Sequence, residues 1–232
     1  MFPNGTMKAL TLSYDDGVEQ DRKLVEVLNR YGIKAAFNLN SGIQTGANHW
    51  AGRDTEGHEV DIRRMNVRGL KELYASHEVA VHGLTHPRLE TLDGETIRNE
   101  LEQDKCNLER IFGTAVRGMA YPFGTYNAQV RAIAGDCGLA YARGVNSTYS
   151  FEIPPDLLEY QPSCHHADPR LMELAERFIN LKPAVPQVFY VWGHSYEFDT
   201  GRNWPLIEEF CRFMAKRDDI FYATNAQALL GV

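Results

Sequence analysis

Short β-rich runs alternate with helical patterns along the whole chain, and that alternation constrains the fold more than any other feature of the sequence. Segments 8–14, 35–39, 78–82, 118–121, 139–142, 187–192 and 220–223 read as strands. Helical periodicity falls between them, at 20–31, 67–75, 93–112, 128–137, 169–179 and 205–216, with Gly32 placed to end the first helix and Pro205 to open the last. Strands spaced by helices form βαβ units, so the fold class is α/β with a parallel sheet. Seven strands suit a barrel better than an open sheet, although periodicity does not separate the two. Segment 42–66 is polar and carries Gly42, Gly46, Gly52 and Gly57, which reads as a long excursion or lid. Loops of that length inside a compact domain are usually functional. No second domain, repeat or low-complexity tract interrupts 1–232, so a single domain is expected.

The 24 Lys and Arg against 31 Asp and Glu leave a net charge of -7. Such a surface repels phosphates, so no nucleic-acid partner is expected. No apolar run approaches the roughly 18–20 residues of a membrane helix, so no membrane span is expected either. Residues 1–5 show neither a basic nor an apolar leader segment, and the expectation is a cytoplasmic protein. Cys106, Cys137, Cys164 and Cys211 are scattered with no C-x-x-C pair, as free and mostly buried thiols would be.

Chemistry collects at the carboxyl ends of strands in parallel α/β folds. The first strand runs into Asp15-Asp16-Gly17. Two adjacent carboxylates cannot share one side of an extended backbone, so one can bind a cation while the other stays free for proton transfer. The third strand runs into His82-Gly83-Leu84-Thr85-His86, whose imidazoles meet on one ion if the segment makes a helical turn. One carboxylate oxygen and two imidazoles leave positions open for water and substrate, as a catalytic metal site does. Around Pro122-Phe123-Gly124, backbone N–H groups are free to point into a site. The sixth strand ends at Trp192-Gly193-His194, and His194 is a candidate general acid. Cys164-His165-His166 with Asp168 suggests a second metal cluster or the wall of a substrate loop, adjacent residues converging on one ion only where the chain turns. The G-x-S-x-G elbow of a serine hydrolase fails after Ser195, and no phosphate-binding glycine loop opens any helix.

Taken in order, these elements resemble the polysaccharide deacetylases, the NodB-homology group of carbohydrate esterase family 4. That family carries T-F-D-D-G, H-[ST]-x-x-H, R-P-P-Y-G, a D-x-x-W-type segment and a late L-x-H. The resemblance runs from about residue 7 to 223, and the fourth motif is not recognisable. It implies a distorted seven-stranded (β/α) barrel, TIM-like, and one divalent metal ion, zinc above cobalt, manganese or nickel. It makes Asp16, His82 and His86 the metal ligands, Asp15 the general base, His194 the general acid and the Phe123 N–H an oxyanion donor. The implied activity removes an N-acetyl group from an amino sugar or short oligosaccharide by metal-activated water. Two alternatives stand beside it: a metal-dependent amidohydrolase of the same superfamily acting on a non-sugar amide such as a cyclic ureide, and a non-catalytic carbohydrate-binding barrel.

Tyr121, Pro122, Trp192 and Arg143 are the expected substrate-side residues, and Trp192, Trp204 and Tyr196 could form a sugar-stacking surface. Ala120 stands where the family often has Arg, so Asp15 lacks that motif cation. Of the nearest candidates, Arg117 falls on the opposite strand face and Arg143, at the next strand end, is expected to replace it; otherwise Arg143 is a solvated loop residue and backbone N–H groups alone orient Asp15. Asp168 and Asp199 are the candidate partners of His194. Sequence leaves the oligomeric state open.

Overall fold

The structure is a computed structural model that describes residues 1–3 and 5–231, so Asn4 and Val232 lie outside it. In chain order it consists of β1 (Lys8–Asp15), α1 (Asp21–Tyr31), β2 (Ala35–Leu39), β3 (His49–Arg53), β4 (Glu59–Arg63), α2 (Leu70–Leu73), β5 (Glu78–Val81), α3 (Gly94–Phe112), β6 (Gly118–Ala120), α4 (Ala128–Asp136), β7 (Tyr141–Arg143), β8 (Cys164–His165), α5 (Leu171–Asn180), β9 (Gln187–Gly193), α6 (Glu197–Thr200), α7 (Trp204–Met214), β10 (Ile220–Tyr222) and α8 (Asn225–Leu230). All seven expected strands are present, within about two residues of their expected bounds.

The main sheet is parallel and ordered β7-β6-β5-β2-β1-β9-β8. One edge of β1 pairs with β9 over its length; the other is divided, Lys8–Leu10 pairing with β10 and Leu12–Asp15 with β2. Segment 160–165 joins the two ends of the sheet. Tyr160 N–H donates to the Ala142 carbonyl, the Gly144 N–H donates to that of Tyr160, and Cys164 and His165 pair with Val191 and Trp192 of β9. The stave completing the seven-membered ring is therefore this segment, and β10 is an added strand beside β1. Composition hides it, because Gln161-Pro162-Ser163 lacks the apolar run that marks the others.

β1, β2 and most of β9 are buried on both faces, as strands covered by helices on one side and barrel contents on the other must be. α1 and α3 each end on a left-handed glycine, Gly32 (φ 69°) and Gly113 (φ 74°). The Asp93 side chain caps α3 by accepting from the Glu95 and Thr96 N–H groups.

The excursion at 42–66 is not an irregular loop. It contains the antiparallel hairpin β3/β4, with His49 opposite Arg63 and Arg53 opposite Glu59. It is tied to the mouth of the barrel by Glu19 N–H donating to the Arg63 carbonyl and Met65 N–H to that of Gly17. Its alternation was masked by glycine and charge, the marks of an exposed two-stranded ribbon. Of the four free thiols only Cys164 and Cys211 are buried, fewer than expected.

Candidate active site

A cavity of about 340 Å³ opens at the carboxyl ends of the strands, lined by Asp15, Asp16, His82, His86, Phe123, Trp192, His194 and Tyr196 among others. β1 delivers the carboxylates. Asp15 is its last residue, and Asp16 leaves the strand at φ 82°, so the two side chains diverge. The backbone of this turn is fixed by Asp16 N–H donating to the Asn38 carbonyl (3.0 Å) and by the Gln44 amide donating to the Asp16 carbonyl (2.7 Å).

Asp15 is buried in a cationic cradle. Arg143 Nη2 lies 2.5 and 2.6 Å from its two carboxylate oxygens, and the Asn38 amide donates to Oδ1 at 2.7 Å. His82 Nε2 and His194 Nε2 each stand 3.9 Å from Oδ2. Burial would raise the Asp15 pKa, but the Arg143 charge and hydrogen bond, with the His194 charge, outweigh it and hold it at about 2. Arg143 is itself fully buried, so it is neither a solvated loop residue nor a substrate contact. Its register explains the substitution. Arg143 pairs across the β6/β7 ladder with Ala120, so the cation missing from one strand is supplied by the residue beside it on the next.

Asp16, His82 and His86 each present one donor atom, all within 4.8 Å of one another. The His82 ring faces the Ala120 carbonyl through Nδ1 at 2.8 Å, which fixes the tautomer and leaves Nε2 as a free donor. Burial lowers both imidazole pKa values, that of His86 to about 4, so both rings are neutral near pH 7. An oxygen and two neutral nitrogens fit a borderline divalent ion such as zinc. The two histidines do not meet through a helical turn. Gly83 (φ 75°) and His86 (φ 60°) bend the loop instead, and α3 holds it there: Glu100 accepts from the Thr85 N–H and hydroxyl, and Asp104 accepts from the His82 N–H. Arg64, returning from the hairpin, donates to Asp16 Oδ1 at 2.6 Å.

His194 follows β9, and its partner is Glu197, three residues on. Glu197 Oε2 accepts from the His194 N–H at 2.9 Å and lies 3.3 Å from Nδ1. Burial disfavours the imidazolium, but the Glu197 hydrogen bond and the Asp15 and Asp16 charges raise the His194 pKa to about 9. Asp168 and Asp199 do not fill this place: Asp168 accepts from the Arg170 N–H and Asp199 from the Trp204 indole.

Phe123 has φ 59° within the turn Pro122–Gly124, whose Gly124 and Thr125 N–H groups close on the Tyr121 and Pro122 carbonyls. Its side chain is 48% exposed at the pocket. Trp192 and Tyr196 also line the pocket, flanking the His194 ring at 5.7 and 5.1 Å. Three expected substrate-side residues are engaged elsewhere. Tyr121 lines the pocket but donates its hydroxyl to the Leu158 carbonyl (2.8 Å), Pro122 is buried against Gly83, and Trp204 packs on Phe198. Cys164 and Asp168 stand apart from the second donor cluster, which groups His165 and His166 with Glu197.

A curled parallel sheet with an oxygen/nitrogen donor set and a carboxylate–imidazole pair at its strand ends defines a (β/α)-barrel protein with its polar cluster where such folds place their functional groups. Residues 3–142 match the family model described as polysaccharide deacetylase, and the chain belongs to that family. A chitin deacetylase of Colletotrichum lindemuthianum is 27% identical over 130 residues, 56% of this chain and 47% of that one. The chain thus spans about half the length of the curated relatives it matches. Among solved structures, a putative polysaccharide deacetylase from Mycobacterium smegmatis superposes with a TM-score of 0.69 at 17% identity, covering 100% of this chain and 92% of that one. A family-4 pseudoenzyme from Bacillus anthracis superposes at 0.56 with 21% identity, covering 98% and 66%. Both likenesses concern the fold.

Proposed function

We propose that this protein is a metal-dependent N-deacetylase of small N-acetylated sugars, mono- or oligosaccharides. The observation that carries the reading is one pocket holding the Asp16/His82/His86 donor set, the Arg143-clamped Asp15 and the Glu197-paired His194. Asp16, His82 and His86 would hold the ion. When bound, it supplies Lewis-acid polarisation of the acetyl carbonyl and a more acidic water.

The remaining work belongs to the chain's own groups. Asp15, kept ionised, takes the proton of the attacking water at a carboxylate oxygen. The Phe123 N–H donates to the developing oxyanion, as a preorganised donor that needs no reorganisation during the reaction. His194, kept protonated by Glu197, gives its Nε2 proton to the departing amine, which otherwise leaves poorly. Trp192 and Tyr196 offer aromatic faces to the sugar ring.

Metal analysis combined with acetate release across chito-oligosaccharides, acetyl-xylan and allantoin tests the reading. Zinc in the protein with acetate released from short chito-oligosaccharides is the expected result. Ammonium or ring-opened product from allantoin would assign a ureide hydrolase, and sugar binding without turnover a carbohydrate-binding barrel.

A further inference from the structure

We propose that His165, His166 and Glu197 form a second divalent-cation site, distinct from the Asp16/His82/His86 set. Their donor atoms lie within 4.8 Å of one another, Glu197 Oε2 standing 3.0 Å from His165 Nε2 and 3.4 Å from His166 Nε2. Adjacent histidines converge here because the chain turns immediately after β8. The His166 N–H donates to the Trp192 carbonyl (2.7 Å) and the Asp168 N–H to that of His165 (3.0 Å), bringing the two ring centroids to 4.5 Å.

The second observation is His166 itself. It is fully buried, and neither ring nitrogen has a hydrogen-bond partner among the described residues. A buried polar group left unpaired is costly, and such groups call for an explanation. The ring is also held in place: it stacks on Phe198 at 4.2 Å and Tyr14 at 5.7 Å, and it occupies the space a side chain at Gly193 would take, 2.0 Å from that Cβ position. An ion on Nε2 would satisfy a nitrogen that the fold aims at Glu197 and leaves unpaired. His165 and Glu197 are partly exposed, so an ion can enter from solvent. Two imidazoles and one carboxylate suit zinc or cobalt better than calcium or magnesium.

Glu197 Oε2 is also the atom that faces His194 Nδ1. Occupation of this site therefore draws Glu197 away from His194. If the deacetylase reading above is right, excess zinc should slow turnover.

The test is the number of ions bound by metal-free protein titrated with zinc or cobalt to saturation, with folding checked by circular dichroism. Wild type should bind two equivalents, and His165→Ala, Glu197→Gln and His86→Ala one each. Excess zinc should lower wild-type turnover about tenfold but leave His165→Ala turnover insensitive to zinc. His165 is the preferred position because it is the more exposed of the pair; Glu197→Gln serves where His165→Ala is unstable. A wild type that binds one equivalent, lost in His86→Ala and kept in His165→Ala, overturns the second site. One equivalent lost in His165→Ala but kept in His86→Ala upholds it and removes the first.

Discussion

Arg143 clamps both oxygens of Asp15, at 2.5 and 2.6 Å, across 128 residues of sequence and across the inside of the barrel from β7 to β1. Both partners are buried, so the pair holds an anion in a pocket that would otherwise protonate it. Breaking such a pair leaves one charge uncompensated, which is more damaging than never having had it.

Arg143→Ala is therefore expected to cost about 3–5 kcal/mol of stability. Arg143→Ala combined with Asp15→Asn should recover much of that loss. Denaturant unfolding of the three proteins checks this; a double variant no more stable than Arg143→Ala would show that the clamp is not the reason.

Asp15→Asn should keep the bound ion and lower kcat by about 10²–10⁴, the range of a lost general base. Elemental analysis beside acetate release separates this from a metal-site lesion. Asp16→Ala and His86→Ala should instead lose ion and activity together, and full occupancy in both would remove them as ligands.

Asp21 makes stability depend on pH. It is buried and accepts from the Ser195 hydroxyl (2.5 Å) and the Tyr74 hydroxyl (2.6 Å), and burial outweighs these bonds to raise its pKa to about 7 from 3.8. The folded state thus retains a proton that the unfolded state has released. The stability this confers is complete below pH 3.8 and is lost as pH rises to about 7, on the order of 1 kcal/mol per pH unit in that window. Asp21→Asn should flatten this dependence. Unfolding measured at intervals from pH 4 to 8 reads it, and identical slopes in both proteins would count against the assignment.

Gly193→Ala should destabilise by about 1–3 kcal/mol, as overpacking does. Its Cβ would stand 2.0 Å from His166 Nδ1, and the ring is walled in by Tyr14 and Phe198. Thermal unfolding with wild-type stability would mean that the ring has room to move.

The strands and much of the candidate pocket were legible because Asp15, Asp16, His82 and His194 stand at or just past the ends of apolar runs, where β topology decides convergence. Arg143 was readable for the same reason, as a charge ending a neighbouring strand, although its place is behind Asp15 and not on the pocket wall. Glu197 carries no sequence signal although it lies three residues after His194, because only the turn into α6 brings its carboxylate back to the ring. Arg64 gave no signal at all. It reaches Asp16 only because the hairpin folds back over the barrel mouth, and polar ribbons carry no periodicity strong enough to place their ends. Glu100 and Asp104 read as the polar face of an amphipathic helix; only tertiary packing turns them toward the His82–His86 loop.

The divided edge of β1 has a thermal consequence. A strand bonded to β9 on one side and to both β10 and β2 on the other cannot fray without dissolving the sheet, and it ends on Asp15, with Asp16 next in the chain. Its amides belong with the slowest to exchange against deuterium, opening only when the whole molecule opens. The Asp15–Asp16 turn has no separate melting of its own, and inactivation by heat follows the collapse of the entire sheet.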